Sequence, residues 1–253
     1  KLPRPQKILA AVFVGENPAS ESFLRQKRKT AEELGISFRL HQYDESISEN
    51  VLIQEIKKIG ADEQVGGIII QLPLPKKFNR DAILKAIPPA KDIDALSPQA
   101  KVSPLAVEVV KDIFKEAINA TKYENNTNIR NYLNKRTVAV VGRGLLVGKP
   151  IAEWLRGKCK ELKIFHHGSD LNKLKNYDLI ITGAGKAGLL KPEMLKPGAG
   201  VIDFGFSMVD GKIYGDFGSN SLTAIPYTLY PSFYTPTPGG TGPILVAELF
   251  KNF

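Results

Sequence analysis

The chain has few of the residues that build disulfides, thiolate metal sites or membrane spans. Cys159 is its one cysteine, which excludes a disulfide framework and any cysteine-based zinc site. No metal site is expected. A reducing compartment fits that cysteine count, and the cytoplasm is the expected location. No apolar run reaches the roughly 18 residues a bilayer demands. The longest, such as Val65–Leu72, are strand-sized, so no membrane partner is expected. The first residues do not read as a secretory signal, and residue 1 is Lys rather than Met, so a natural start upstream is expected. Acidic residues are also in the minority. Lys and Arg total 35 against 26 Asp and Glu, a net charge of +9, which makes nucleic acid the first partner to test. What the chain does have is apolar content: 43% over 253 residues. That excludes general disorder and builds one or two domains.

The pattern along the chain alternates strand and helix. Lys7–Val14, Ile36–Gln42 and Val65–Gln71 read as strands, with helices over 19–34 and Ser48–Ile59 between them. Ser48 is a plausible N-cap, and Asn17-Pro18 reads as a chain break. A short helix over Arg80–Ala86 and another over Pro104–Ala117 follow. Ala120–Asn134 is polar and Asn-rich, and reads as a linker. The alternation then restarts with strands at Thr137–Val141, Leu162–Phe165, Asp178–Thr182 and Gly200–Phe204, and a helix over Pro150–Leu155. Val209–Lys212 reads as a hairpin turn, because Asp210-Gly211 supplies positive φ. A Pro/Gly loop, Tyr234–Pro243, leads into a last helix over Ile244–Phe250. The fold class is α/β: two α/β lobes with a cleft between them, the second Rossmann-like. Residues 1–120 form the first lobe, completed by a C-terminal helix over 241–253, and residues 135–235 form the second.

One segment carries nucleotide chemistry. A strand runs into Gly142-Arg143-Gly144, then three residues, then Gly148 and a helix. Glycines let backbone approach a pyrophosphate, and the helix N-terminus offers N–H groups and a positive dipole. A plain tight strand-to-helix turn would also use such glycines. An NAD site would place an acid at the end of the next strand, about 20 residues on. That strand ends Phe165-His166-His167-Gly168-Ser169-Asp170, with no acid directly after it. Arg143 and Ser169 suit a 2′-phosphate, so NADP is the expected cofactor; Asp170 would favour NAD if the register shifted. His166 and His167 read as a polar loop end.

A second segment carries a lysine in an unusual place. On the helix over 19–34, Leu24, Ala31 and Leu34 mark one face. At about 100° per residue, Lys27 falls roughly 60° from Leu24, beside that face. Phe23 lies one turn before it. An aromatic ring beside a half-buried amine makes a candidate acid–base pocket. The alternative is a lysine that snorkels to solvent along its stem.

These segments, with Val14–Lys29, Gly67–Pro75 (GIIIQLPLP), Lys91–Leu96 (KDIDAL), Pro197–Gly205, Gly215-Asp216 and Thr235–Pro243 (TPTPGGTGP), resemble bifunctional methylenetetrahydrofolate dehydrogenase/cyclohydrolases along nearly the whole chain. The resemblance implies NADP-dependent oxidation of 5,10-methylenetetrahydrofolate to the 5,10-methenyl form, and hydrolysis of that to 10-formyltetrahydrofolate. It places the catalytic residues at Lys27, Gln71 and Asp94. Asp94 would accept two N–H bonds from the pterin. It places the folate against Phe23, Leu72, Pro238, Gly239 and Gly242, and NADP against Gly142, Arg143, Gly144, Gly148, Ser169 and Phe206. A homodimer that binds no nucleic acid is implied as well. Asp92 reads as a turn or cap residue, and Asp203 and Asp216 as structural. The chain departs from the family where Phe23 replaces a usual Tyr, Ala95 a usual Gly, and Val102–Ala106 (VSPLA) a usual Cys-Thr-Pro-x-Gly; the usual N-terminal helix also lies outside the sequence. Two other readings stay open: the same fold with one of the two activities, and a basic nucleic-acid-binding or scaffold protein.

Overall fold

The computed structural model describes residues 7–120, 128–218 and 230–253. It divides into two compact units. The first comprises the chain to Pro104 together with Val246–Phe253; the second comprises Leu105–Leu245.

The first unit is a three-stranded parallel sheet with strand order β2-β1-β3. β1 (Ile8–Val14) is buried along its whole length, as a central strand covered on both faces must be. α1 (Pro18–Glu33) connects it to β2 (Ser37–Tyr43), and α2 (Glu49–Ala61) connects β2 to β3 (Val65–Ile70). Asn17-Pro18 starts a helix rather than merely breaking the chain. The Asn17 side chain accepts from Ser20 N, and Pro18 fills the first turn, where a missing N–H costs nothing. Ser48 caps α2 through Val51 N. After β3 come α3 (Arg80–Lys85) and the turn around Asp92, which bridges to Ile68. Asn252 donates to Ile93 O, and Phe253 lies where a Cβ on Gly67 would stand.

The second unit is a five-stranded parallel sheet in the order β10-β7-β6-β4-β5. Its strands are β4 (Thr137–Val141), β5 (Glu161–Phe165), β6 (Leu179–Thr182), β7 (Gly200–Asp203) and β10 (Phe233–Tyr234). The order reverses between β4 and β6, and ligands of open α/β sheets bind at the carboxyl ends on either side of such a point. α6 (Gly148–Leu155) leaves β4 there. A two-stranded hairpin, β8 (Ser207–Val209) and β9 (Lys212–Tyr214), turns on Asp210 and Gly211, both with positive φ, at 49° and 72°.

Two expectations about organisation change. The division falls after Pro104, not at 120–135. The reason is the apolar content of α4 (Leu105–Ala120): Val109, Val110, Phe114 and Ile118 join Val138, Val140 and Ile151 in the core of the second unit. The expected linker also holds a helix, α5 (Ile129–Asn134), capped by Asn128 and anchored by buried Tyr132 and Leu133. Residues 121–127 of that linker lie outside the described residues. The last helix, α7 (Thr241–Asn252), runs from one unit's residues into the other's. Among the described residues, no helix is long and apolar enough to cross a membrane, and no cluster of His, Cys, Asp and Glu could hold a metal.

Candidate functional site

Lys27 lies on the buried stripe of α1. That stripe is Ser20, Leu24 and Ala31, with Lys27 on the same spacing. Leu34 is not part of it; it is the C-cap residue and 57% exposed. Nor does the lysine snorkel, since its side chain is only 17% exposed. The amine ends 3.5 Å from Gln71 Oε1 and 3.8 Å from Asp94 Oδ2. Gln71, 6% exposed, follows the last residue of β3. Its amide nitrogen donates to Leu72 O at 2.8 Å, which turns its oxygen toward the lysine. Ser20, missed by the sequence reading, also donates from its hydroxyl to Leu72 O at 3.4 Å. α1 is thus tied to the end of β3 at two points.

Asp94 is held by the turn that bears it. Asp92 is buried and accepts from Leu96 N (3.1 Å) and Ser97 N (2.7 Å). Lys91 donates to Gly60 O and Asp62 O at the end of α2. Ala95 takes a left-handed conformation, φ 54°. Burial pushes the Asp94 carboxyl above the ordinary carboxylate range; the Lys27 charge opposes that shift and Asp92 adds to it. Phe23 stands one turn before Lys27 and is 36% exposed.

The second unit places the glycine loop at the switch point. Gly142, with φ 107°, is packed: a Cβ there would stand 2.8 Å from Gly183 O. A Cβ on Gly148 would stand 2.1 Å from Gly142 O. Gly144 differs, because no atom lies within 4 Å of its Cβ position. The closed loop does not require a glycine there, and backbone approach by a ligand would. Val147 gives α6 no side-chain cap. Lys149 N donates to Gly144 O at 3.0 Å and Pro150 carries no N–H, so the helix start offers an anion its positive dipole end and the Gly148 N–H. Arg143 is exposed. Across the β4–β5 pair, Gly142 N donates to Phe165 O, which sets the glycine loop beside the His166–Ser169 turn. Ser169 closes that turn by accepting from His166 N at 3.0 Å. Asp170 is engaged as a cap, accepting from Asn172 N. The 183–186 segment after β6 lies on the other side of the glycine loop, and Phe206 O is 3.9 Å from the Cβ position of Gly185. Pro238 and Gly239 (φ 97°) lie on the loop that leads into α7, and Gly242 is in the first turn of that helix, all on second-unit residues.

Two family models match this chain. The tetrahydrofolate dehydrogenase/cyclohydrolase catalytic domain covers residues 2–94, and the NAD(P)-binding domain of the same family covers residues 124–253. The chain belongs to the tetrahydrofolate dehydrogenase/cyclohydrolase family. Among its relatives, bifunctional protein FolD 2 of Myxococcus xanthus is 38% identical over 96% of this chain and 83% of that protein. A solved bifunctional FolD from Campylobacter jejuni aligns with a TM-score of 0.82 at 30% identity, over 98% of this chain and 86% of that one. The Trypanosoma brucei FolD, solved with NADP and an inhibitor, aligns with a TM-score of 0.82 at 26% identity, over 97% of this chain and 84% of that one.

Membership gives the two units their domain types. The lysine cluster falls in the span of the catalytic domain, and the glycine loop in that of the NAD(P)-binding domain. The structure brings Lys27, Gln71 and Asp94 together, with Leu72 attached through its carbonyl.

Proposed function

We propose that this family member oxidises 5,10-methylenetetrahydrofolate to 5,10-methenyltetrahydrofolate with NADP and hydrolyses the product to 10-formyltetrahydrofolate. The observation that carries the proposal is the buried amine of Lys27, aimed at Gln71 and Asp94 by α1 and the end of β3. In hydrolysis, water adds to the methenyl carbon, the bond from that carbon to N5 breaks, N5 takes up a proton and one proton is released. Lys27 moves the proton between the water and the folate nitrogen. Gln71 holds the amine in place without adding charge. Asp94 accepts two N–H bonds from the pterin, and those donors offset the burial that raises its carboxyl. Phe23 offers a face for the flat ring.

Bound NADP supplies the hydride acceptor. The residues fit it: open Gly144, the Gly148 N–H at the start of α6, and Arg143 with Ser169 for a 2′-phosphate. Asp170 stands five residues past the end of β5 and caps the next helical turn through one oxygen, which supports NADP over NAD. The excess positive charge suits phosphates and folate carboxylates, and nucleic acid is no partner in this reading. The homodimer and the cytoplasmic setting rest on family membership, and sedimentation at micromolar concentration tests the former. A second reading, with one activity only, rests on Phe23, which puts no hydroxyl beside Lys27. A paired assay decides. It follows NADP and NAD reduction with methylenetetrahydrofolate, then decay of the methenyl absorbance against buffer. Both signals, with NADP preferred, are expected. A folded chain with neither signal overturns the proposal.

A further inference from the structure

Asp203 and Asp216 are the buried carboxylates of the second unit that this chemistry leaves unused; they are 1% and 0% exposed. Asp216 accepts from Thr182 Oγ1 (2.6 Å), Ala184 N (2.6 Å) and Lys186 N (2.7 Å). Asp203, the last residue of β7, accepts from Gly205 N (2.6 Å), Phe217 N (2.9 Å) and Asp216 N (3.3 Å). Two glycines make room for them. A Cβ on Gly205 would stand 2.3 Å from Asp216 Cγ, and one on Gly215 would stand 2.1 Å from Asp203 Oδ2. Burying two carboxylates side by side costs stability unless every oxygen is well bonded.

What the pair holds is the segment beside the glycine loop. Gly183 packs on both Gly142 and the Val147 side chain. Ala184, Gly185 and Lys186 are exposed, so little apolar burial fixes their path. Their two N–H bonds to Asp216 do so instead. The end of β7 also reaches the Pro/Gly loop. Asp203 N donates to Thr235 Oγ1 at 2.7 Å, and Thr241 Oγ1 donates to Asp203 O at 2.8 Å.

We propose that Asp216 is a positioning residue for the dinucleotide, fixing residues 183–186 as the wall opposite Arg143–Gly144, and that Asp203 fixes Asp216 in turn. This deepens the NADP reading and rests on it. The test is calorimetric NADP binding to the full chain and to Asp216→Asn and Thr182→Val, with amide hydrogen exchange on each. Asn turns one acceptor oxygen into an amide NH2 that faces donors. Thr182→Val removes only a hydroxyl, and stays informative if the Asn variant fails to fold. Asp216→Asn should weaken NADP about tenfold and Thr182→Val about threefold, with faster exchange at Ala184 and Lys186. In turnover the KM for NADP should rise by a similar factor and kcat at saturation by less than about twofold, a split that general loss of fold does not give. Wild-type binding with folded variants within about twofold of it overturns the proposal alone. A wild-type chain that binds no NADP overturns the cofactor reading and the proposal with it.

Discussion

Replacing Gly144 and Gly148 by alanine, one at a time, separates binding from folding within a single loop. At Gly148 the new methyl would lie 2.1 Å from Gly142 O and 2.6 Å from Gly142 C. Both are backbone atoms, so no side chain can swing aside. Overpacking of this kind costs about 1–3 kcal/mol, which is roughly 2–12 °C in Tm at 2–4 °C per kcal/mol for a chain of this size. At Gly144 the methyl would meet nothing within 4 Å, and no positive φ opposes it. A Gly→Ala change at such a site stabilises by about 0.4–1 kcal/mol through the unfolded chain. Its methyl does obstruct a pyrophosphate approaching the backbone. Scanning calorimetry with and without NADP reads both effects. Gly148→Ala should melt early. Gly144→Ala should melt at or above the wild-type temperature yet lose most of the NADP-induced shift. A Gly144→Ala variant that NADP stabilises as much as wild type would refute the reasoning.

Other expectations follow from the same geometry. Asp94→Asn should weaken folate binding by about 10–100-fold, the worth of a charge-assisted pair, with NADP affinity unchanged; an equal loss of both in titrations would contradict the role. Ala95→Gly relieves a left-handed alanine at φ 54° and should stabilise by about 0.5–1 kcal/mol in urea unfolding after the entropy cost of glycine; destabilisation would contradict it. Burial pushes Asp203 up to about 6 against hydrogen bonds from Phe217 and Gly205, with Asp216 raising it further. A raised carboxyl contributes stability below its unfolded value and loses it as pH climbs through 6. Between pH 5 and 7 wild type should therefore lose about 1.4 kcal/mol more than Asp203→Asn; parallel stability curves would contradict that assignment.

The strands, the glycine loop and the lysine were legible because each is a local pattern. β1 and β3 are continuous apolar runs, and the Lys27 position follows from 3.6-residue spacing on α1 alone. Leu34 misled because periodicity cannot see where a helix ends; Gly35 with φ 68° lets the chain turn away and leaves Leu34 exposed. α5 was hidden by its own capping chemistry. Asn128 and its Asn neighbours look like a linker, yet one of them caps six residues that bury only Tyr132 and Leu133. The membership of α4 depends on which core receives its apolar faces, and that is a tertiary fact. Ser20 is a small polar residue on the same stripe as Leu24 and Lys27, so its place is legible from spacing alone. That Gly142 and Gly148 are packed while Gly144 is open could not be read from spacing, since all three look alike in sequence. The bonds of Asp216 to Thr182, Ala184 and Lys186 span about thirty residues, and no local pattern encodes them.

In the proposed mechanism Lys27 carries the hydrolysis. Lys27→Met keeps an unbranched stem as far as Cε and removes the amine, so decay of methenyltetrahydrofolate absorbance is the direct measurement. The enzymatic rate should fall by about 10²–10⁴, the usual worth of a positioned acid–base group, while calorimetry shows NADP still bound. A folded Lys27→Met variant that hydrolyses the methenyl form at the wild-type rate would contradict it.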